Sequence, residues 1–390
     1  MKKFLAVLLA IFLLAPVFAG GGGQASGPAA EPVVKIGLYQ ALSGGSGPTG
    51  RQQNVGIDYA HSLNPTVQIG GKTYRVELVV ADNQSQTAVG PAAAQQLVAK
   101  GVSFVLGSTG SGLSMAASDT FGNARIAAIG MTNTNPNVTK GNDHYFRLVY
   151  LDPFQGTVLA THAKTVLKAA TAYVLTTQGD DYSMGLSNFF IDAFGKANVI
   201  QEFYPPGTSD FSSYIATARA RGAGVFMSPT IVGDAQLIID QIVMQGLNIP
   251  VLAGDTWDNS VVVDAGKNKN INIYVSTFYA EGANPDFDKG LKAFINANPL
   301  AKTNNGGGDL VAASTAIAFD SYNVALEAFK KAGTTEPDKV RQALFGVKHK
   351  GVTGNIEFNQ IGDRVMDFAF IKQLNTQQGR WHNANQVFVK

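Results

Sequence analysis

Four short stretches of this 390-residue chain gather residue types that can hold a ligand. Gly45-Ser46-Gly47-Pro48-Thr49-Gly50 satisfies G-x-G-x-x-G between the apolar run "VVKIGLY" and the helix-like "RQQNVGIDYAHSLN". Dinucleotide enzymes cradle pyrophosphate at such a turn, with the first glycine at the strand end and an acid about 20 residues on for the ribose. Here Gln40 to Gly44 separate Tyr39 from Gly45, and the first acid at a following strand end is the distant Asp82. Nucleotide chemistry is therefore poorly served. The fragment "GGKT" at Gly70–Thr73 lacks the upstream glycine of a P-loop and reads as a turn into the next strand.

The second stretch is "VLGSTGSGLSMAASD", residues 105–119. Gly107, Gly110 and Gly112 allow close approach of backbone to a ligand, and Ser111 stands at a helix start. Free N–H groups, the helix dipole and a hydroxyl there suit a carboxylate or a phosphate, although Ser111 can equally be an ordinary N-cap. In the third, "MTNTNPNVT", Thr132, Asn133 and Thr134 follow an apolar strand, where open α/β sheets bind ligands, although the threonines can equally be ordinary turn formers. The fourth, "LAGDTWDNS", places Asp255 beside Trp257 just past a strand in the second half of the chain. Such an acid can pair with an ammonium, and an indole can stack on a side chain; Asp255 or Asp258 can instead cap the next helix.

Catalytic constellations are missing. G-x-S-x-G and H-E-x-x-H do not occur, and His61, His144, His162, His349 and His382 lack ligand spacing. No enzyme activity, cofactor or metal is expected. Without cysteine there are no thiolate metal sites, thiol nucleophiles or disulfides, and no acceptor for a lipid at a cleavage site.

Residues 1–19, "MKKFLAVLLAIFLLAPVFA", have a basic start, a short apolar segment and a small-x-small end, the pattern of a signal peptide. The apolar segment is shorter than the roughly 20 residues that span a bilayer. Residues 20–32 read as a flexible leader. A free, unlipidated, exported protein is expected in the periplasm. Removing Lys2 and Lys3 from 30 basic residues leaves a balance with 28 acidic ones, which gives no footprint for nucleic acid or anionic lipid.

The elements that must position these stretches alternate. Strands are expected at 33–39, 74–81, 103–106, 126–130, 172–176, 199–204, 224–228, 251–253 and 271–277. Helices are expected at 51–63, 88–100, 113–122, 153–167, 184–195, 211–219 and 233–245. Short, almost wholly apolar strands with helical spacers imply parallel sheets covered on both faces. Three helical segments follow (285–296, 311–332 and 337–345), then the strand-rich "GNIEFNQIGDRVMDFAFIKQL". About 370 mature residues exceed what one hydrophobic core usually serves, so two domains are expected.

In this order, "KIGLYQALSGGSGPTG", "VELVVADNQSQTAVGPAAAQQLV", "FVLGSTGSGLSMAASD", "IAAIGMTNTNP", "YFRLVYLDPFQG", "GDDYSMGLSNFF", "GDTWDN" and "GVTGNIEFNQIGDRV" resemble the type I periplasmic solute-binding proteins of the branched-chain amino-acid family. The resemblance spans essentially the whole mature chain. It implies two doubly wound parallel-sheet lobes joined by a three-crossing hinge, with lobe 1 formed by 33–152 plus 279–363 and lobe 2 by 153–278 plus 364–390. It also implies a buried ligand, capture by hinge closure, delivery to an ABC importer permease, and a monomer.

Carried over by position, Ser111 and Thr134 match holders of the ligand carboxylate. Thr132 matches a carbonyl that meets the ammonium, Asp255 its acidic partner, and Tyr182 an aromatic wall. Thr49 stands where leucine binders usually carry an aromatic residue, and Gly110 where they carry a disulfide cysteine. Thr49, Tyr150, Tyr182 and Trp257 are thus the expected side-chain pocket, roomier or more aromatic than a leucine site. "LSGGSGPTG" becomes a flexible lip of the cleft. Relatives of this family also bind aromatic acids, amides and urea, and the same fold can serve a sensor.

Overall fold

A computed structural model describes residues 31–388. The expected signal peptide and almost all of the leader lie outside the described residues.

The first sheet is built around β1 (Val33–Gln40). A hairpin of β2 (Thr66–Ile69) and β3 (Lys72–Asp82) turns on Gly70 and Gly71, both at positive φ, and β3 then runs parallel to β1. The two-glycine turn is a hairpin signal, and "TVQI" buries alternate residues as an edge strand should. On the other side of β1 lie β4 (Phe104–Leu106), β5 (Ala128–Gly130) and β6 (Tyr145–Arg147), giving the order β2-β3-β1-β4-β5-β6. Between these strands run α1 (Gly47–Leu63), α2 (Gly90–Ala99) and α3 (Ser111–Asn123). All nine residues of β4, β5 and β6 are buried, as coverage on both faces requires.

After β6 the chain passes through the head of α4 (Asp152–Thr165) into a second sheet. This holds β7 (Ala172–Thr177), α5 (Asp181–Phe194), β8 (Val199–Tyr204), α6 (Ser212–Ala220), β9 (Val225–Met227), α7 (Val232–Met244), β10 (Val251–Ala253), α8 (Ser260–Gly266) and β11 (Ile273–Thr277). The chain then returns to the first sheet with α9 (Pro285–Ala297), α10 (Pro299–Asn304), α11 (Ala313–Ala332) and α12 (Pro337–Leu344), followed by the hairpin β12 (Lys348–Gly351) and β13 (Gly354–Glu357). The alanine-rich α11 lies close on α1; a Cβ on Gly56 would stand 2.1 Å from the Thr315 carbonyl. A third passage delivers β14 (Phe368–Asn375) and β15 (Arg380–Phe388) to the second sheet as an antiparallel edge, in the order β15-β14-β11-β10-β9-β7-β8. Two parallel-sheet lobes with three passages between them result.

Both sheets reverse direction beside their first strand. In the first, β3 lies on one side of β1 and β4 on the other; in the second, β8 and β9 flank β7. Loops leaving the carboxyl ends of adjacent strands diverge at such a point and open a crevice. The two crevices face each other. Among the described residues no helix is long and apolar enough to cross a membrane.

Candidate functional site

Between the lobes lies a cavity of about 100 Å³. A single water needs roughly 10–15 Å³ of such space, so the cavity suits a ligand with on the order of ten heavy atoms. The loops after β4 and β5 and the start of α1 supply Thr109 to Leu113, Thr132, Ser46 and Thr49. The second lobe supplies Gly179 to Tyr182, Ile231, Val232, Asp255 and Thr256.

α3 begins here on Gly110, whose φ of 86° a side chain would resist. No side chain caps this helix, so its first N–H groups remain available beside the cavity. Ser111 is therefore not an N-cap: it is the first helical residue, and its Oγ accepts from the Asn135 amide at 3.3 Å. Gly112 and Gly110 line the cavity, but Gly107 does not. A Cβ on Gly107 would stand 1.8 Å from the Tyr39 carbonyl, so that glycine serves strand packing rather than a ligand.

Asp255 is nearly buried, and its Oδ1 accepts from Gln155 Nε2 at 3.0 Å and from the Tyr182 hydroxyl at 3.3 Å. Burial pushes its pKa up to about 7, with those two hydrogen bonds acting against the rise. No lysine, arginine or histidine lines the cavity. A cavity with a buried carboxyl group at one wall and a helix N-terminus at another offers opposite polarity to the two ends of a ligand.

The structure brings Ser111, Thr132, Asp255, Thr49 and Tyr182 to the cavity wall. Thr134 lies just behind it, fully buried, with its hydroxyl unpartnered. Tyr150 and Trp257 do not line it. Tyr150 is packed between Phe154 and Phe278, at 5.4 and 5.8 Å, and touches the site through Phe278 and through Gln155, which donates to its hydroxyl at 3.4 Å. Trp257 is wholly buried in the apolar core of the second lobe, with its indole N–H 3.3 Å from Thr230 Oγ1. An indole on the far side of its backbone cannot stack on a ligand here. Asp258 does not cap the next helix; Asn259 caps α8, while Asp258 Oδ2 accepts from Lys372 Nζ at 2.7 Å and from the Ala313 amide that opens α11 at 2.9 Å.

The expected flexible lip is instead a pinned turn. α1 starts at Gly47, and a Cβ on Gly50 would stand 1.9 Å from the Ala41 carbonyl. Asp82 accepts from the Leu42 amide and the Ser43 hydroxyl at 2.9 and 2.7 Å. Gly45 faces the other lobe, since a Cβ on Gly233 would lie 2.8 Å from its Cα.

Two further polar residues were not singled out from the sequence, although both lie in "YFRLVYLDPFQG". Gln155 bridges Asp255 and the Ser276 hydroxyl. Asp152 is fully buried at the head of α4, and burial pushes it up to about 8. The Thr134 hydroxyl stands near it and favours its charge, yet neither carboxyl oxygen has a partner in hydrogen-bond geometry. Among the described residues no group of three or more His, Cys, Asp or Glu side chains is placed to hold a metal.

A family model described as periplasmic binding protein matches residues 33–379. The Leu/Ile/Val-binding protein homolog 1 of Brucella suis biovar 1 (strain 1330) is 27% identical over 385 residues, covering 96% of this chain and 97% of that one. The leucine-binding protein LivK of Thermotoga maritima MSB8 superposes with a TM-score of 0.81 at 27% identity, over 91% of this chain and 99% of that one. A solute-binding protein of an ABC transporter from Rhodopseudomonas palustris BisB5, solved with 3,4-dihydroxybenzoic acid, has a TM-score of 0.77 at 18% identity, over 92% and 98%. At that identity the last likeness concerns the fold alone.

Proposed function

The chain belongs to the periplasmic binding protein family, and on that footing we propose that it is an extracytoplasmic receptor that captures an amino acid between its lobes and delivers it to an ABC importer. The observation that carries this reading is Asp255. A nearly buried carboxyl group facing a cavity, with no cation beside it, is a costly feature unless a ligand supplies the charge. An α-ammonium does so. The N–H groups opening α3, with Ser111, Thr132 and Thr134, then take the carboxylate and the rest of the main chain. The small Thr49 leaves room for the ligand side chain beside Tyr182. Relatives named for leucine, isoleucine and valine support the amino-acid class.

Each lobe supplies one half of the charge complement, so a ligand that satisfies both favours the closed form. The lobes we assign are 33–152 with 279–363 and 153–278 with 364–390, a division supported by which sheet each strand joins. Export by the N-terminal signal and release into the periplasm without a lipid complete the reading.

One observation favours a second ligand class. With its pKa near 7, Asp255 can keep its proton and donate it to a neutral polar group. An aromatic acid, as in the Rhodopseudomonas palustris neighbour, would use the site in that form. A thermal-shift screen of α-amino acids, aromatic acids, amides and NAD decides between them. Stabilisation by an α-amino acid is expected; stabilisation by NAD alone, or by aromatic acids alone, overturns the amino-acid reading.

A further inference from the structure

We propose that Arg147, clamped by Asp363, is the positioning residue that aims the Thr134 amide at the ligand carboxylate; this rests on the amino-acid reading above. Arg147 sits on β6 with its side chain entirely buried. Its Nε donates to the Asp363 carboxylate, and its Nη2 to the Thr139 hydroxyl at 2.7 Å. Its Nη1 donates to two carbonyls, those of Asn133 at 3.0 Å and Asn135 at 2.9 Å. Those carbonyls flank Thr134.

In a planar trans peptide the carbonyl and the following N–H point in opposite directions. Drawing the Asn133 carbonyl onto the guanidinium therefore turns the Thr134 N–H away from Arg147. The Thr134 carbonyl is held separately, by the Asp152 amide at 2.8 Å, and the Asn135 amide is held by Ser111 Oγ on the cavity wall. Among the described residues the Thr134 amide has no partner. A buried amide rarely stays unpaired, and a ligand oxygen is the partner it lacks.

Asp363 belongs to "GDRV", a motif otherwise without a role. The next residue, Arg364, holds the carbonyls of Leu148, Thr353 and Asn355 at 3.0, 2.7 and 3.0 Å, just before the chain's last passage to the second lobe. The Arg147–Asp363 pair thus fastens the ligand loop to the segment that leads into the hinge. With Pro136 O at 3.4 Å, Arg147 serves five acceptors from a rigid planar fork, more than the three donors of a lysine can satisfy.

Replacing both members of a buried ion pair by apolar residues leaves neither charge uncompensated. Calorimetry with L-leucine on Arg147→Lys and on the double variant Arg147→Met with Asp363→Leu is expected to show affinity reduced by at least about tenfold, from the hydrogen bonds lost around Thr134. The double variant leaves the Asn133 and Asn135 carbonyls without their donor, so it should fold but melt below the wild type. Wild-type affinity in a folded double variant overturns the proposal. If both variants fail to fold, hydrogen–deuterium exchange on the wild type decides: saturating L-leucine should protect the Thr134 amide, and unchanged exchange there overturns the proposal. A wild type that binds no α-amino acid is recognised before any variant is made, and it removes the reading on which this inference rests.

Discussion

Gln155, at the head of α4, donates from Nε2 to Asp255 Oδ1 at 3.0 Å and to Ser276 Oγ at 2.9 Å. It joins the first passage between the lobes to the acid that faces the ligand cavity. The acid is thereby held at a fixed place without being neutralised, since an amide brings no charge. What completes it must come from the ligand.

Asp255→Asn preserves the shape and removes the charge. Truncating one member of a buried, hydrogen-bonded charge pair typically costs about 2–5 kcal/mol. Calorimetry should show amino-acid affinity falling by well over tenfold, with the fold retained. Unchanged affinity would make Asp255 a purely structural acid.

The same residue sets a pH dependence. An ammonium pairs with the ionised carboxylate, and burial holds the Asp255 pKa at about 7. Amino-acid affinity should therefore rise by up to roughly tenfold per pH unit between pH 5 and 7 and level off above it. Unliganded stability should move the other way. Asp255 and Asp152 are both raised, Asp152 to about 8, so their contribution is fully present below the ordinary carboxylate range and is lost as pH climbs through about 7 and 8. Melting curves from pH 5 to 9, with and without ligand, check both signs; parallel curves would contradict them.

Gly233, in the first turn of α7, gives a prediction in which stability and binding move apart. A Cβ there would stand 2.8 Å from both Cα and O of Gly45 across the cleft. Gly233→Ala should weaken ligand binding by wedging the lobes open. Its higher helix propensity, worth up to about 1 kcal/mol, should leave the unliganded protein no less stable. Calorimetry and small-angle scattering test it: a variant that binds and compacts like the wild type would show that the lobes do not close on this contact.

Ser111→Ala removes a hydroxyl at the start of α3 that accepts from the Asn135 amide. Carboxylate ligands should bind more weakly while the melting temperature without ligand changes little. A collapse in that temperature instead would mean that Ser111 mainly holds the Asn135 loop.

Much of the fold could be read from the alternation of apolar runs with amphipathic ones, because strands covered on both faces must be apolar almost throughout. The expected strands at 199–204 and 251–253 coincide with β8 and β10. The elements overlooked carry weak signals for physical reasons. β2 has only four residues, β6 is three residues ending in a buried arginine, α8 and α10 are a turn or two long, and β15 is a polar edge strand. At the site, residues at strand ends were legible, because parallel sheets present ligands to the loops after their strands. Side-chain direction was not. Trp257 beside Asp255 reads as a stacking platform, but its ring turns into the second core. Asp152 and Gln155 read as an ordinary helix start, and only burial distinguishes them. The glycines of "GGSGPTG" invite a phosphate reading. Gly50 is small because it abuts the Ala41 carbonyl, and a Cβ on Gly45 would stand 2.5 Å from Ile231 Cδ1 of the other lobe.

The central claim is that both charged ends of an amino acid are held at once, the ammonium by Asp255 and the carboxylate at the head of α3. Calorimetry on the unliganded wild type, comparing L-leucine with 4-methylpentanoate and L-leucinamide, tests it most directly. The account predicts binding of L-leucine and at least about a tenfold loss for each analogue, one lacking the ammonium and the other the carboxylate. Equal or tighter binding of 4-methylpentanoate would contradict it.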